Sequence, residues 1–381
     1  MFLFLILAVY FLPTIYTYVR LKKLFSRRLD KILFTLCYIT FALGFFIAEI
    51  MSHRADAGAG PARYIILIGY YTLPYMLYLF LLTLLSDILR GVNRLLKIVS
   101  TEITRDRKFQ AVTTWIIFLL PALIVAFGAV HVNTIRVNEY RVTVPRKSAV
   151  IDHLKIAMAA DFHLGQITDK EFLEKFTDKV NALHPDIVLL PGDMVEGHRD
   201  DGETSEFAQH FRQIKSKYGI YASPGNHESH SRDNKFKFFS DAGINVLADS
   251  IVTIDNSFYL VGRNDAHSNN RKTIDELLAQ LPGNLPVIVL DHRPTDIQEV
   301  SRREVDIQLS GHTHNGQLFP LNFIINNLYE LGWGHKKIGN THLFVTSGAQ
   351  IWGPPVRTAG DSEIMVINVD FVASGGKGTL L

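Results

Sequence analysis

Four apolar runs crowd the first third of the chain: Phe2–Tyr18, Ile32–Met51, Tyr64–Leu85 and Ala111–Val132. A helix needs roughly 20 apolar residues to cross the hydrocarbon of a bilayer, and these runs are read as meeting that length. The first run lacks the basic segment and small-residue cleavage site of a signal peptide, and basic residues follow it, so it is expected to be retained. Pro13, Pro74 and Pro121 lie inside the runs. Proline breaks soluble helices but is tolerated in membrane helices packed by neighbours. Glu49, near an outer end, is expected to snorkel. Residues 1–132 thus read as a transmembrane region with four helices.

Loop charges give an orientation. Arg20, Lys22, Lys23, Arg27, Arg28 and Lys31 follow the first run, and Arg90, Arg94, Lys97, Arg105, Arg107 and Lys108 follow the third. The loop between the second and third runs carries only Arg54 and Arg63. Both basic loops then face the cytoplasm, so the expectation is a multi-pass protein of the cell (inner) membrane with an extracytoplasmic C-terminal domain. Hydrophobic residues make up 48% of the chain but concentrate at the N-terminal end, so its two parts belong to different solvents. The single cysteine, Cys37, excludes a disulfide framework and a cysteine-based zinc site.

Residues 133–153 include "NTIRVNEYRVTVPRK", which alternates like an exposed strand and reads as a short connection and first edge strand. Beyond it the pattern changes. "LKIAMAADFH", "PDIVLLPGD" and "GIYASPGNHE" read as strands, separated by the helical spacings of "DKEFLEKFTDKVNAL" and "SEFAQHFRQIKSK". That alternation builds a mostly parallel sheet, and the strand-rich remainder calls for a second one. The domain is expected to span 154–370, leaving a tail at 371–381.

In open α/β sheets a ligand site lies beyond the carboxyl ends of the strands. Here those ends read Asp161-Phe162-His163, Gly192-Asp193, Gly225-Asn226-His227-Glu228, Asp291-His292-Arg293-Pro294 and Gly311-His312-Thr313-His314. Singly, each motif is a common turn or cap. Together they bring oxygen and imidazole donors from five strands to one edge. Mixed Asp, Asn and His donors suit manganese, iron or zinc better than magnesium or calcium, and they are too many for one ion.

The order D-x-H, G-D, G-N-H-E, H, G-H-x-H resembles that of the calcineurin-like metallophosphoesterases from Leu154 to Asp370, and "GHTHNGQ" and "SGAQIWGPPVR" resemble the bacterial membrane-associated branch. The resemblance implies an α/β calcineurin-like domain, a four-layer αββα sandwich of two stacked mixed sheets with flanking helices. It implies Asp161, His163 and His314 on one metal ion, Asn226, His292 and His312 on a second, and Asp193 bridging both. His227 resembles the histidine beside the scissile phosphate, with Glu228 a candidate orienting partner. Many members have G-D-x-x-D where this chain has Glu196, a position that is generally supporting. Arg293 and Arg357 are candidate phosphate contacts outside the catalytic set. The default for His153, His184, His198, His267, His335 and His342 is solvent exposure.

Two metals about 3.5–4 Å apart lower the pKa of a bridging water and hold phosphoryl oxygens for in-line attack by hydroxide. His227 can donate a proton to the leaving oxygen. The expected activity is a metal-dependent phosphoric ester hydrolase, cleaving a phosphoester or pyrophosphate bond. The apolar stretch "NGQLFPLNFIINNLYELGWGHKK" follows the last histidine, with Tyr329 and Trp333 suited to a headgroup-level interface and Lys336 and Lys337 to anionic lipid. It favours the bilayer as partner and a lipid-linked phosphate as substrate. Alternatives are a non-catalytic phosphate-binding receptor or scaffold, and a hydrolase of soluble nucleotides. A nuclease is disfavoured by the net charge of +2 and the membrane runs, so no nucleic acid is expected.

Overall fold

The computed structural model describes residues 2–52, 60–165, 168–196, 202–229 and 236–373. His198 and the glycine-rich tail lie outside them. The chain divides into two compact units, Met1–His131 with Gly353–Thr358, and Val132–Trp352 with Ala359–Leu381.

The first unit is helical: α1 (Phe2–Leu21), α2 (Arg28–Ser52), α3 (Gly60–Leu96), a short α4 (Thr101–Arg105) and α5 (Arg107–His131). Among the described residues, α2, α3 and α5 are long and apolar enough to cross a membrane. The first apolar run is also helical, as α1, but it is not among those three. Pro13, Pro74 and Pro121 sit inside helices without ending them. Polar side chains tie the helices: Tyr38 donates to the Thr14 carbonyl at 2.7 Å, and Asp87 of α3 accepts from Tyr16 at 2.6 Å and Arg20 at 2.5 Å. Glu49 accepts a hydrogen bond from Tyr70 at 3.1 Å, so this acid has a partner inside the unit.

The second unit starts with β1 (Ile135–Pro145) and β2 (His153–Met158), then α6 (Lys170–Leu183), β3 (Ile187–Pro191), α7 (Gly202–Arg212), β4 (Ile220–Ser223), α8 (Asn226–Ser229), α9 (Lys237–Ala242) and β5 (Asn245–Val246). It continues with β6 (Ser250–Ile254), β7 (Phe258–Gly262), α10 (Ile274–Leu278), β8 (Val287–Leu290), α11 (Ile297–Val300) and β9 (Ile307–Ser310). Last come α12 (Leu321–Leu328), β10 (Gly334–Ile338), β11 (Thr341–Val345) and β12 (Ser362–Val372). The final strand runs two residues past the expected boundary at Asp370.

One six-stranded sheet has the order β1-β12-β2-β3-β4-β5 and the other β10-β11-β9-β8-β7-β6. Both are mixed. In the first, β12 is parallel to β1 and antiparallel to β2; in the second, β10 and β6 are the antiparallel edge strands. Three buried clusters mark the layers. Ile156, Met158 and Leu189 of the first sheet pack with Leu260, Leu290 and Leu309 of the second. The outer face of the first sheet packs against Phe172, Phe176 and Phe211 of its helices, and that of the second against Ile274, Leu277 and Val300. Strands β3, β8 and β9 are buried along their whole length, which is why they read as unbroken apolar runs rather than alternating ones. The loops leaving β2, β3, β4, β8 and β9 carry the polar motifs.

Candidate metal centre

Backbone hydrogen bonds lock these loops to one another. The N–H of Asp161 donates to Gly192 O at 3.1 Å, those of Phe162 and His163 to Asp193 O at 2.8 and 3.1 Å, and that of Gly311 to His292 O at 2.9 Å. The Asp161 carboxylate accepts the N–H of His312 at 3.0 Å, and Asp193 accepts that of His227 at 3.0 Å. Glycines clear the space for these carboxylates. A Cβ on Gly225 would fall onto the Asp193 carboxylate, and one on Gly311 onto that of Asp161.

The side chains converge in three overlapping groups: Asp161, His163 and His314; His163, Asp193 and His227; and Asp193, His292 and His312. Within each group the candidate ligand atoms lie within 4.8 Å of one another. Asn226 opens α8, immediately before His227.

The donor chemistry calls for cations here. His292 faces the Pro191 carbonyl through Nδ1 at 2.9 Å, so Nδ1 carries the proton and neutral His292 presents a bare Nε2. That Nε2 is buried and lies 3.0 Å from Asp193 Oδ2. Two acceptors cannot face each other at that distance unless a positive charge lies between them. Without an ion a proton would serve: burial opposes it, but Asp193 and Asp161 outweigh burial and push His292 up to about 10. Asp161 moves up to about 6, chiefly through burial, while His292 and His163 overcome the burial of Asp193 and hold it well below the usual carboxylate range. Burial, with the charges of His292 and Arg293, takes His312 down to about 3. The residues present therefore fit divalent metal.

Five of these side chains stand on left-handed backbone: Asp161, His163, Asp193, His312 and His314 have φ of 57°, 44°, 53°, 73° and 49°. Such conformations are uncommon for residues other than glycine and cluster at functional sites.

The carboxylate that reaches His227 is Glu196, rather than Glu228. Glu196 Oε2 is 2.7 Å from His163 Nδ1 and 3.2 Å from His227 Nδ1. Burial would raise Glu196, but its hydrogen bonds to both histidines bring it down to about 2. Burial would lower His227, but Glu196 and Asp193 raise it to about 9. Glu228, itself buried, accepts four backbone N–H groups: Met194 at 2.7 Å and Val195 at 3.0 Å on Oε1, Gly225 at 2.8 Å and Asp193 at 3.1 Å on Oε2. It splices the loops after β3 and β4.

Other expectations come apart. Asp291, a donor expected at the end of β8, is bound by Arg263 at 2.8 Å and Arg271 at 2.6 Å. Arg357, the other arginine singled out with Arg293, is wholly buried. His342 is buried, its ring stacked on that of His335 with 3.0 Å between ring nitrogens. His153, His184, His267 and His335 are exposed. Sequence reasoning missed Glu196 as the shared partner of two histidines; its one signal was its place three residues after Asp193.

Two mixed sheets whose strand ends gather buried aspartate and histidine define a metallophosphoesterase domain. Residues 154–316 match the family model of the calcineurin-like phosphoesterases, phosphoric ester hydrolases. The chain is 28% identical to an uncharacterized metallophosphoesterase of Campylobacter jejuni, over 97% of this chain and 98% of that protein. A transmembrane protein with metallophosphoesterase domain from Danio rerio is 25% identical, over 72% of this chain and 67% of its own length. A UDP-2,3-diacylglucosamine pyrophosphatase of Chlamydia trachomatis is 26% identical, over 49% and 71% respectively.

Proposed function

We propose that the protein is a membrane-anchored, two-metal phosphoesterase acting on a lipid-linked phosphoester or pyrophosphate. The observation that carries the catalytic part is the acceptor-to-acceptor approach of His292 Nε2 and Asp193 Oδ2 at 3.0 Å within a buried Asp/His cluster. Asp161, His163 and His314 would hold one ion, Asn226, His292 and His312 the other, with Asp193 shared. Two ions of the manganese, iron or zinc kind, when bound, supply Lewis acidity to the phosphoryl oxygens and make a water acidic enough to attack near neutral pH. His227, kept protonated by Glu196, stands beside His163 with ring centroids 4.7 Å apart and donates a proton to the departing oxygen. Asp161 and Asp193 stay fixed because backbone N–H groups of neighbouring loops hold them.

The lipid part rests on α12 and its flanks. Phe319, Phe323, Ile324, Leu328 and Trp352 are exposed apolar side chains, and none of the residues of α12 is buried. Tyr329, which closes α12, has its ring 6.4 Å from that of His312. An apolar face beside a polar centre suits a substrate with a hydrocarbon tail. Three residues separate α5 from β1, so the domain has little freedom to leave a bilayer that α5 crosses. The Chlamydia relative, a UDP-2,3-diacylglucosamine pyrophosphatase, points the same way. We place α1 as a fourth span and the domain outside the cytoplasm on the charge bias of the loops.

The test compares hydrolysis of a lipid pyrophosphate in mixed micelles with that of its water-soluble head group, using intact protein and Phe323→Asp/Leu328→Asp. Intact protein should prefer the lipid, and the variant should lose that preference while keeping soluble turnover. Equal turnover of both substrates by intact protein would leave a phosphoesterase without lipid selectivity.

A further inference from the structure

We propose that Arg293, with the Tyr329 hydroxyl, forms a subsite for a second phosphate of the substrate, so that the site favours a diphosphate over a phosphomonoester; this rests on the two-metal reading above. Arg293 directly follows His292, and the Gly311 N–H to His292 O bond of 2.9 Å places it beside the strand end that carries His312. The rings of His292 and His312 stand 5.1 Å apart, and that of Tyr329 lies 6.4 Å from His312.

The side chain is held rather than loose. Nε donates to Asp265 Oδ2 at 2.7 Å, and Asp265 is wholly buried, with its Oδ1 accepting the His267 N–H at 3.0 Å. The preceding Asp291 is clamped by Arg263 and Arg271, and Arg263 also reaches Asp296 at 3.3 Å. A buried ionic lattice of this kind keeps the backbone at Asp291–Arg293 from shifting. Only 16% of the Arg293 side chain is exposed. Among the described residues its η N–H groups have no hydrogen-bond partner, nor has the Tyr329 hydroxyl.

A guanidinium tethered through Nε presents its η nitrogens as a planar fork, a geometry that matches two phosphate oxygens. The proton donor stands elsewhere: His227 groups with His163 and Asp193, whereas Arg293 directly follows His292, which groups with Asp193 and His312. One phosphate over the metal ligands and in reach of His227 leaves the Arg293 fork free for a further anion. The chemistry is that of a diphosphate, whether from a lipid or from a soluble nucleotide.

The experiment measures binding of phenyl phosphate and phenyl diphosphate to full-length, manganese-loaded protein in nanodiscs, for wild type, Arg293→Gln and Arg293→Lys, with metal content checked in each. Wild type should bind the diphosphate more tightly. Arg293→Gln should weaken diphosphate binding about ten- to a hundredfold, the scale of charge-assisted hydrogen bonds, and leave phenyl phosphate within about twofold. Arg293→Lys should fall between, since it keeps the charge but loses the fork. No diphosphate preference in wild type, or one unchanged in Arg293→Gln, overturns the subsite. Turnover of both compounds, run in parallel, tests the hydrolase reading separately: preference without turnover would overturn that reading and leave the subsite standing. A didodecyl diphosphate compared with phenyl diphosphate then distinguishes lipid from soluble sources.

Discussion

The Nε2 atoms of His163 and His314 stand 3.0 Å apart. His163 gives its proton from Nδ1 to Glu196 at 2.7 Å, so its Nε2 turns a lone pair toward His314. His314 Nε2–H can donate across this gap, and a bound ion would instead take the lone pairs of both rings. Removing divalent metal with a chelator should therefore lower the melting temperature of the second unit, and manganese should restore it. Saturation at a hundredfold over the dissociation constant contributes about 2.7 kcal/mol. His314→Ala should abolish the response, and a melting point indifferent to chelator would speak against a structural coupling to metal.

Asp193 and Glu196 differ in what they touch, so their variants should separate. Asp193→Asn removes the charge that both His292 and His163 face and should reduce turnover on the order of a hundredfold or more. Glu196→Asp shortens a carboxylate that bonds two histidines, and it should cost less. Equal losses in steady-state kinetics would argue against Asp193 as the shared ligand.

Glu228→Gln tests the splice between the loops. Both oxygens of Glu228 accept two N–H groups each, and an amide NH2 in place of one leaves two buried donors without an acceptor. Each such loss costs about 1–3 kcal/mol. Denaturant unfolding should show that scale of destabilisation, together with weaker metal retention because the Asp193 backbone is no longer fixed. A variant of wild-type stability would show that water fills the gap.

His342 should make the domain acid-sensitive. Burial first, then Lys337 and His335, lower it to about 4, below the ordinary histidine value near 6.5. A depressed pKa means that the folded state binds fewer protons than the unfolded chain, so the contribution is full above about pH 6.5 and is lost as pH falls toward about 4. The melting temperature should decline across that window. His342→Gln should flatten the decline, and an unaltered profile would assign the acid sensitivity to other groups.

Topology is checked with Ala57→Cys and Ser26→Cys in a Cys37→Ser background. A membrane-impermeant thiol reagent should label the first in intact cells and spare the second. The reverse would put the domain in the cytoplasm and change its candidate substrates.

The strand-end motifs were readable because each is local: an unbroken apolar run, then Asp161 or His312 where the chain leaves the sheet. The apolar helices were readable for the same reason, as length and hydropathy need no partner. What could not be read depends on distance along the chain. The backbone turn that brings Glu196 to His163 and His227, the Arg263 and Arg271 clamp on Asp291, and the burial of His342 with its ring stacked on His335 are all tertiary. The left-handed backbone at Asp161, His163, Asp193, His312 and His314 has no residue signature at all, because glycine, the usual occupant, is replaced there by the very side chains that face the cluster.

The position of β12 has a consequence for how the protein is made. It lies between β1 and β2, parallel to one and antiparallel to the other, yet among the described residues it is the last strand in chain order. Every candidate ligand has been synthesised by His314, but β1 and β2 cannot pair with each other in the finished sheet. Until Ser362–Val372 arrives, both strands keep an open row of backbone donors and acceptors. The nascent chain thus carries a full set of metal-seeking side chains on an unfinished sheet, and maturation of the centre waits for Ser362–Val372.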